Sequence, residues 1–182
     1  QVDQRTGRLN HDYYIRNHLG PVSCLLLAFL LTTGRRTEEA SSLTWAQYLK
    51  GDEPRLKLFK TKTSKKNNKL VFSLGTDAVK ILNLILKDRL NNPKSKFYFP
   101  VNDPRNSYIF PSKDYGRKLA NGKCKSLHII DPDKTWDKSL KLGGVERHMK
   151  VYATRHTFAT NFWKQTKDLK ALAQALGTTE EI

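Results

Sequence analysis

The chain has 182 residues, with 33 lysines and arginines against 17 aspartates and glutamates, a formal net charge of +16. That length suits one domain with a core of its own, and the charge points to a polyanion, whose bound counterions are released as cations replace them. The plain alternative is a basic surface that serves only solubility. Two cysteines, Cys24 and Cys124, make no metal-type cluster and no disulfide framework, so a reducing, intracellular setting is expected, with Cys24 as a buried thiol in an apolar run.

Residues 1–20 are polar and mixed and read as a lead-in segment. Pro21 opens "PVSCLLLAFLLTT", too short to span a bilayer and stopped by Gly34, so a core helix to about Thr33 is predicted. No signal peptide is expected. Thr37 is placed as the cap of a short helix, "EEASSLTW", ending near Trp45.

"RLKLFKTKTSKKNNKLVFSL" alternates apolar and polar residues on both sides of a lysine-rich tip, which predicts two strands joined by a turn near Lys65 to Asn68. Thr76 or Asp77 then caps a helix with Val79, Leu82, Ile85, Leu86 and Leu90 on one face. Residues 91–107 are expected to be loop, "YIFPS" a short apolar piece ended by Pro111, and "TWDKSLKLGG" a short helix stopped by its glycines. Two further helical patterns follow, "TRHTFATNFWKQT" and "DLKALAQALG". Helices, a small antiparallel sheet and more helices make a mostly helical α+β domain.

Three cations stand where the surrounding pattern is apolar or turn-forming. Arg36 follows Gly34 with Glu39 three residues on, Lys62 lies at the end of a strand entering the basic hairpin, and Arg155 opens a helix whose inner face is Phe158, Ala159 and Phe162. A charge buried on such a face requires a partner, a carboxylate or a phosphate.

These stretches carry a resemblance to the tyrosine recombinases of the phage-integrase type. "TTGRRTEEASSLTW" resembles that family's first arginine box, T-G-x-R-x-x-E followed by L-x-W, and "YATRHTFAT" resembles the second, H-x-x-R-H-T-F-A-T. "KTKTSKKNNKLVFSL" is similar to the hairpin bearing the active lysine, "YIFPS" to a stretch between hairpin and second box, and "DLKALAQALG" to the approach to L-G-H. The matches keep the family's order across most of residues 22–178.

The resemblance implies the tyrosine-recombinase catalytic-domain fold over 21–182, without the N-terminal domain that grips the other face of DNA. It makes Arg36 and Arg155 a clamp on one DNA phosphate, a role that suits the bidentate, permanently charged guanidinium. Lys62 becomes the general acid toward the leaving 5′-oxygen. Glu39 and His156 become supporting residues, and Lys60, Lys65, Lys66 and Lys69 contacts to the DNA backbone. Duplex DNA is the implied partner. The implied parent is a homotetramer on paired sites inside a cell, with no membrane, metal or cofactor, and the fragment alone is expected to be monomeric.

The sequence departs from the family's pattern in three ways. Tyr152 stands where histidine is usual, and a phenol of pKa about 10 hydrogen-bonds a phosphate but is a poor base at neutral pH. Thr178 replaces the histidine of L-G-H and donates without a charge. No tyrosine follows Tyr152, so the chain holds no residue in the nucleophile's place. Because it also starts at Gln1, a catalytic domain cut at both ends from a longer protein is expected. The competing readings are a degenerate relative that only binds DNA, a telomere resolvase or type IB topoisomerase of the same fold, and a basic RNA-binding or structural domain with chance matches.

Overall fold

A computed structural model describes residues 21–58, 70–91, 99–100, 102–118, 122 and 125–177. Helix α1 (Pro21–Thr33) lies at the centre. It packs against helices α2 (Thr37–Ser41), α3 (Thr76–Asn91), α4 (Asp133–Leu142) and α5 (Ala153–Thr166), and α6 (Leu169–Leu176) packs on α5. Leu26, Phe29 and Leu30 of α1 are wholly buried, and each such side chain contributes about 1.5–3 kcal/mol by leaving water. The thiol of Cys24 is half-buried rather than buried, and that burial still pushes it up to about 11.

The sheet has three antiparallel strands in the order β1 (Tyr48–Leu49), β2 (Arg55–Leu58), β3 (Leu70–Ser73). Strands β2 and β3 pair as the alternation predicts, with Leu56 opposite Phe72 and Lys57 opposite Val71. Leu56 and Leu58 point into the core, while Arg55 before them faces water and Lys57 between them is partly exposed. Strand β1 is too short to show a period and was not expected from the sequence.

The first junction differs from its expectation. Helix α2 ends at Ser41, not near Trp45, because the Ser42 hydroxyl bonds back to the Glu38 carbonyl at 2.7 Å and competes with the next helical turn. Leu43 then turns inward, and Trp45–Gln47 forms a 3-10 turn leading to β1. The cap of α2 is Arg36 rather than Thr37: its backbone is extended, and its N–H donates to the Glu39 carboxylate.

Beyond the sheet, α3 buries Leu82 and Ile85, with Val79 and Leu86 at the margin, as its periodicity requires. The "YIFPS" stretch threads through the middle of the fold. Ile109 and Phe110 are wholly buried, the Ile109 N–H bonds to the Leu43 carbonyl at 2.9 Å, and Phe29 meets Phe110 at a 5.5 Å ring separation. Helix α4 starts at Asp133, two residues earlier than expected, and Trp136 ties it to the approach of α5 by donating from Nε1 to the Met149 carbonyl at 2.6 Å. Asp168 caps α6 by accepting from the Ala171 N–H at 2.9 Å.

Candidate active site

Gly34 sets the geometry of the first arginine box. Its φ of +62° is left-handed, and its N–H closes the end of α1 on the Leu30 carbonyl at 2.9 Å. A β-carbon there would sit 2.4 Å from Cδ1 of Phe158 on α5. Glycine therefore meets two demands at once, a reversed backbone and the close passage of α5.

Reversal of the chain at Gly34 sends Arg35 and Arg36 to different places. Arg36 stays partly open, its side chain 25% exposed, and its Nη1 pairs with Glu39 Oε1 at 3.0 Å. The Glu39 carboxylate is itself only 7% exposed, so it is a fixed rather than a mobile partner. Arg35 turns into the protein and is 1% exposed. Its guanidinium lies over the Phe72 ring, 4.4 Å from the centroid, and its Nη2 donates to the Ala175 carbonyl at the end of α6. Burial pushes the Arg35 guanidinium down to about 10, with Glu39 opposing and Arg155 and Arg36 reinforcing the shift. It remains a cation at neutral pH.

The second box delivers Arg155 from the first turn of α5, 5% exposed. Its Nη1 donates to the Gly34 carbonyl at 2.7 Å and its Nη2 to the Leu176 carbonyl at 3.0 Å. The buried charge therefore has partners, but of a kind the sequence did not suggest: backbone carbonyls at the ends of two helices, where partial negative charge collects. Burial is the main cause holding the Arg155 guanidinium below its ordinary range; the Arg36 charge adds to it, and Tyr152 and Glu39 oppose it. That mutual influence puts Arg35, Arg36, Glu39 and Arg155 in one electrostatic cluster.

Tyr152 precedes α5, half-exposed, and its ring meets His156 edge-on at 5.1 Å. His156 is exposed one turn along the same helix. Lys60, Lys62, Lys65, Lys66, Lys69, Thr178 and Cys124 lie outside the described residues. Sequence reasoning missed Arg35, whose neighbour drew attention as the boxed arginine. It also missed Lys134, Lys138 and Lys141, exposed along α4 at a spacing legible in "DKTWDKSLKL". Among the described residues no group of three or more His, Cys, Asp or Glu could hold a metal ion, and no helix is long and apolar enough to cross a membrane.

The domain is mostly helical with a small three-stranded sheet, and its packing brings the two arginine boxes to one cluster. The phage integrase family model matches residues 11–180, and the chain belongs to that family, the tyrosine recombinases. It is similar to the XerH site-specific recombinase bound to its difH substrate before cleavage, at 19% identity and a TM-score of 0.61, covering 88% of this chain and 41% of that one. It resembles the XerA recombinase at 18% identity and a TM-score of 0.60, covering 92% and 50%. The Tn1549 transposon integrase (residues 82–397), in complex with circular intermediate DNA, follows at 16% identity and a TM-score of 0.56, covering 92% and 53%. At these identities the likeness concerns the fold, and this chain spans about half or less of the length of each. No curated protein matches.

Proposed function

We propose that this domain is the phosphate-gripping part of a site-specific recombinase that binds duplex DNA and cuts and rejoins its strands through a 3′-phosphotyrosyl bond. The observation that carries the reading is the convergence of Arg36 and Arg155, 119 positions apart in the sequence, on the turn at Gly34. Two permanent cations at one place, with Glu39 fixing one and helix-end carbonyls the other, are suited to the extra negative charge that a phosphate gains in the transition state.

In this reading the partly open Arg36 meets a non-bridging phosphate oxygen first, and Arg155 supplies the second side of the clamp from beneath. Tyr152, half-exposed beside Arg155, donates a phenolic hydrogen bond to the same phosphate, with His156 supporting its ring. Lys62 protonates the leaving 5′-oxygen, Thr178 donates a further bond, and Lys60, Lys65, Lys66 and Lys69 follow the DNA backbone. Exposed Lys134, Lys138 and Lys141 on α4 extend the basic surface, and each phosphate they neutralise releases a counterion. The phosphotyrosyl bond conserves the energy of the cut strand, so no metal or nucleotide is needed. The nucleophile is a tyrosine outside residues 1–182, and the full protein works as a homotetramer on paired sites in the cell interior.

The test is a covalent trap. The coding frame is extended downstream of Ile182 to its natural stop, and the product is incubated with nicked duplexes carrying candidate sites. A protein–DNA adduct that resists denaturant and disappears in Arg155→Met supports the recombinase. Duplex binding that depends on Arg36 and Arg155 without any adduct supports the relative that only binds DNA. Equal affinity for A-form RNA and duplex DNA overturns both.

A further inference from the structure

Arg35 belongs to neither partner of the phosphate clamp, yet it is among the largest fully buried side chains in the domain. Its Nε and Nη1 have no hydrogen-bond partner among the described residues. A buried guanidinium served on one arm is costly, and an apolar side chain of similar volume in its place is often neutral or stabilising. Stability of the core therefore does not explain an arginine here. Its surroundings give a different reason.

The last carbonyls of a helix lack partners within it and carry its partial negative charge. At the end of α6 two of them are taken by guanidinium groups: Ala175 by Arg35 and Leu176 by Arg155. Arg155 also holds Gly34, the residue that precedes Arg35, so the end of α6 is fastened twice to the end of α1. The second fastening continues to the sheet, because the Arg35 guanidinium rests on Phe72 of β3, the strand that follows the lysine-rich segment 59–69. If Arg155 is to grip a phosphate with the arm now on Leu176, α6 must be held by something else.

We propose that Arg35 is a positioning residue: it pins the C-terminal end of α6 against the root of the hairpin and thereby lets Arg155 turn its Nη2 arm from Leu176 to a DNA phosphate without releasing the helix. The inference rests on the phosphate-clamp reading for its second half, while its first half concerns the free protein alone.

The experiment compares the 182-residue chain with Arg35→Met, Arg35→Lys and Phe72→Leu. Three readouts are taken: thermal midpoint, duplex affinity, and hydrogen exchange across residues 169–177 with and without duplex. Arg35→Met should keep a thermal midpoint at or above that of the parent chain. It should speed exchange in 169–177 about tenfold, the scale of removing one charge-assisted bond, and more in the DNA complex than in the free protein. Its duplex affinity should fall although Arg36 and Arg155 are intact, and Arg35→Lys should recover part of both losses. Phe72→Leu, which keeps the charge and removes its platform, should move both readouts the same way; it decides the matter if Arg35→Met does not fold. Unchanged exchange in 169–177 overturns the proposal. So does a uniform acceleration across the whole chain with a lower midpoint and no recovery by lysine, since that marks an ordinary core residue. A parent chain that ignores duplex DNA overturns the clamp reading, and exchange in the free protein then still decides whether Arg35 holds α6.

Discussion

Arg155 donates to the carbonyl of Gly34 at 2.7 Å, joining two positions 121 residues apart. The bond depends on Gly34 being left-handed, because that reversal turns the end of α1 toward α5. The same residue belongs to the first arginine box and anchors the second. Box geometry and chain reversal are thus one structural feature.

Gly34→Ala is expected to destabilise the domain by about 2 kcal/mol or more, combining a strained left-handed backbone with a β-carbon forced against Phe158. Urea unfolding measures it. Adding Phe158→Leu should recover the steric part only, because the backbone part resides in φ. Full recovery in the double variant would mean that the conformation of Gly34 carries no cost.

Arg36→Gln should weaken duplex binding and lower the slope of log affinity against log salt by about one, as expected when one phosphate is no longer neutralised. Its thermal midpoint should also fall, since the Glu39 carboxylate is only 7% exposed and loses its charged partner. An unaltered slope would place the DNA elsewhere on the basic surface.

A third expectation concerns acid. Two side-chain nitrogens of Arg105 donate to Asp103, Nε at 2.9 Å and Nη2 at 2.6 Å, and the guanidinium lies over the Phe99 ring and near that of Tyr115. The hydrogen bond from Arg105 is the main cause holding the Asp103 carboxyl below its ordinary 3.8. A depressed carboxylate stabilises the fold fully above its unfolded pKa and loses that contribution as pH falls through the lower, folded value. The stability gap between the parent chain and Asp103→Asn should therefore be flat from pH 5 to 7 and close below about 4. A gap that does not narrow at all as pH falls below about 4 would assign the effect to the shape of the loop rather than to charge.

Much of the fold was legible because it follows local rules. Pro21 and Gly34 bracket a run of apolar residues, and α1 fills the interval. Alternation around a basic tip made β2 and β3, and the spacing of Leu82 and Ile85 made α3. The end of α2 was not legible, because Ser41 and Ser42 are acceptable in a helix until one hydroxyl finds the Glu38 carbonyl. Arg36, Glu39 and Arg155 were named from the resemblance of the two boxes, and packing brings the three into one cluster.

The sequence by itself determined most of the helices, the pair of strands β2 and β3, the order of the two boxes, and the surplus of positive charge. Those properties depend on residues a few positions apart or on simple sums. Only the tertiary structure decided that Arg35 turns inward while Arg36 stays open, and that Arg155 is satisfied by the carbonyls of Gly34 and Leu176. Every residue carries a backbone carbonyl, so no side-chain pattern marks which ones will collect at helix ends and meet a buried cation. That selection is made when α1, α5 and α6 pack, and it sets where the charges of the site are held.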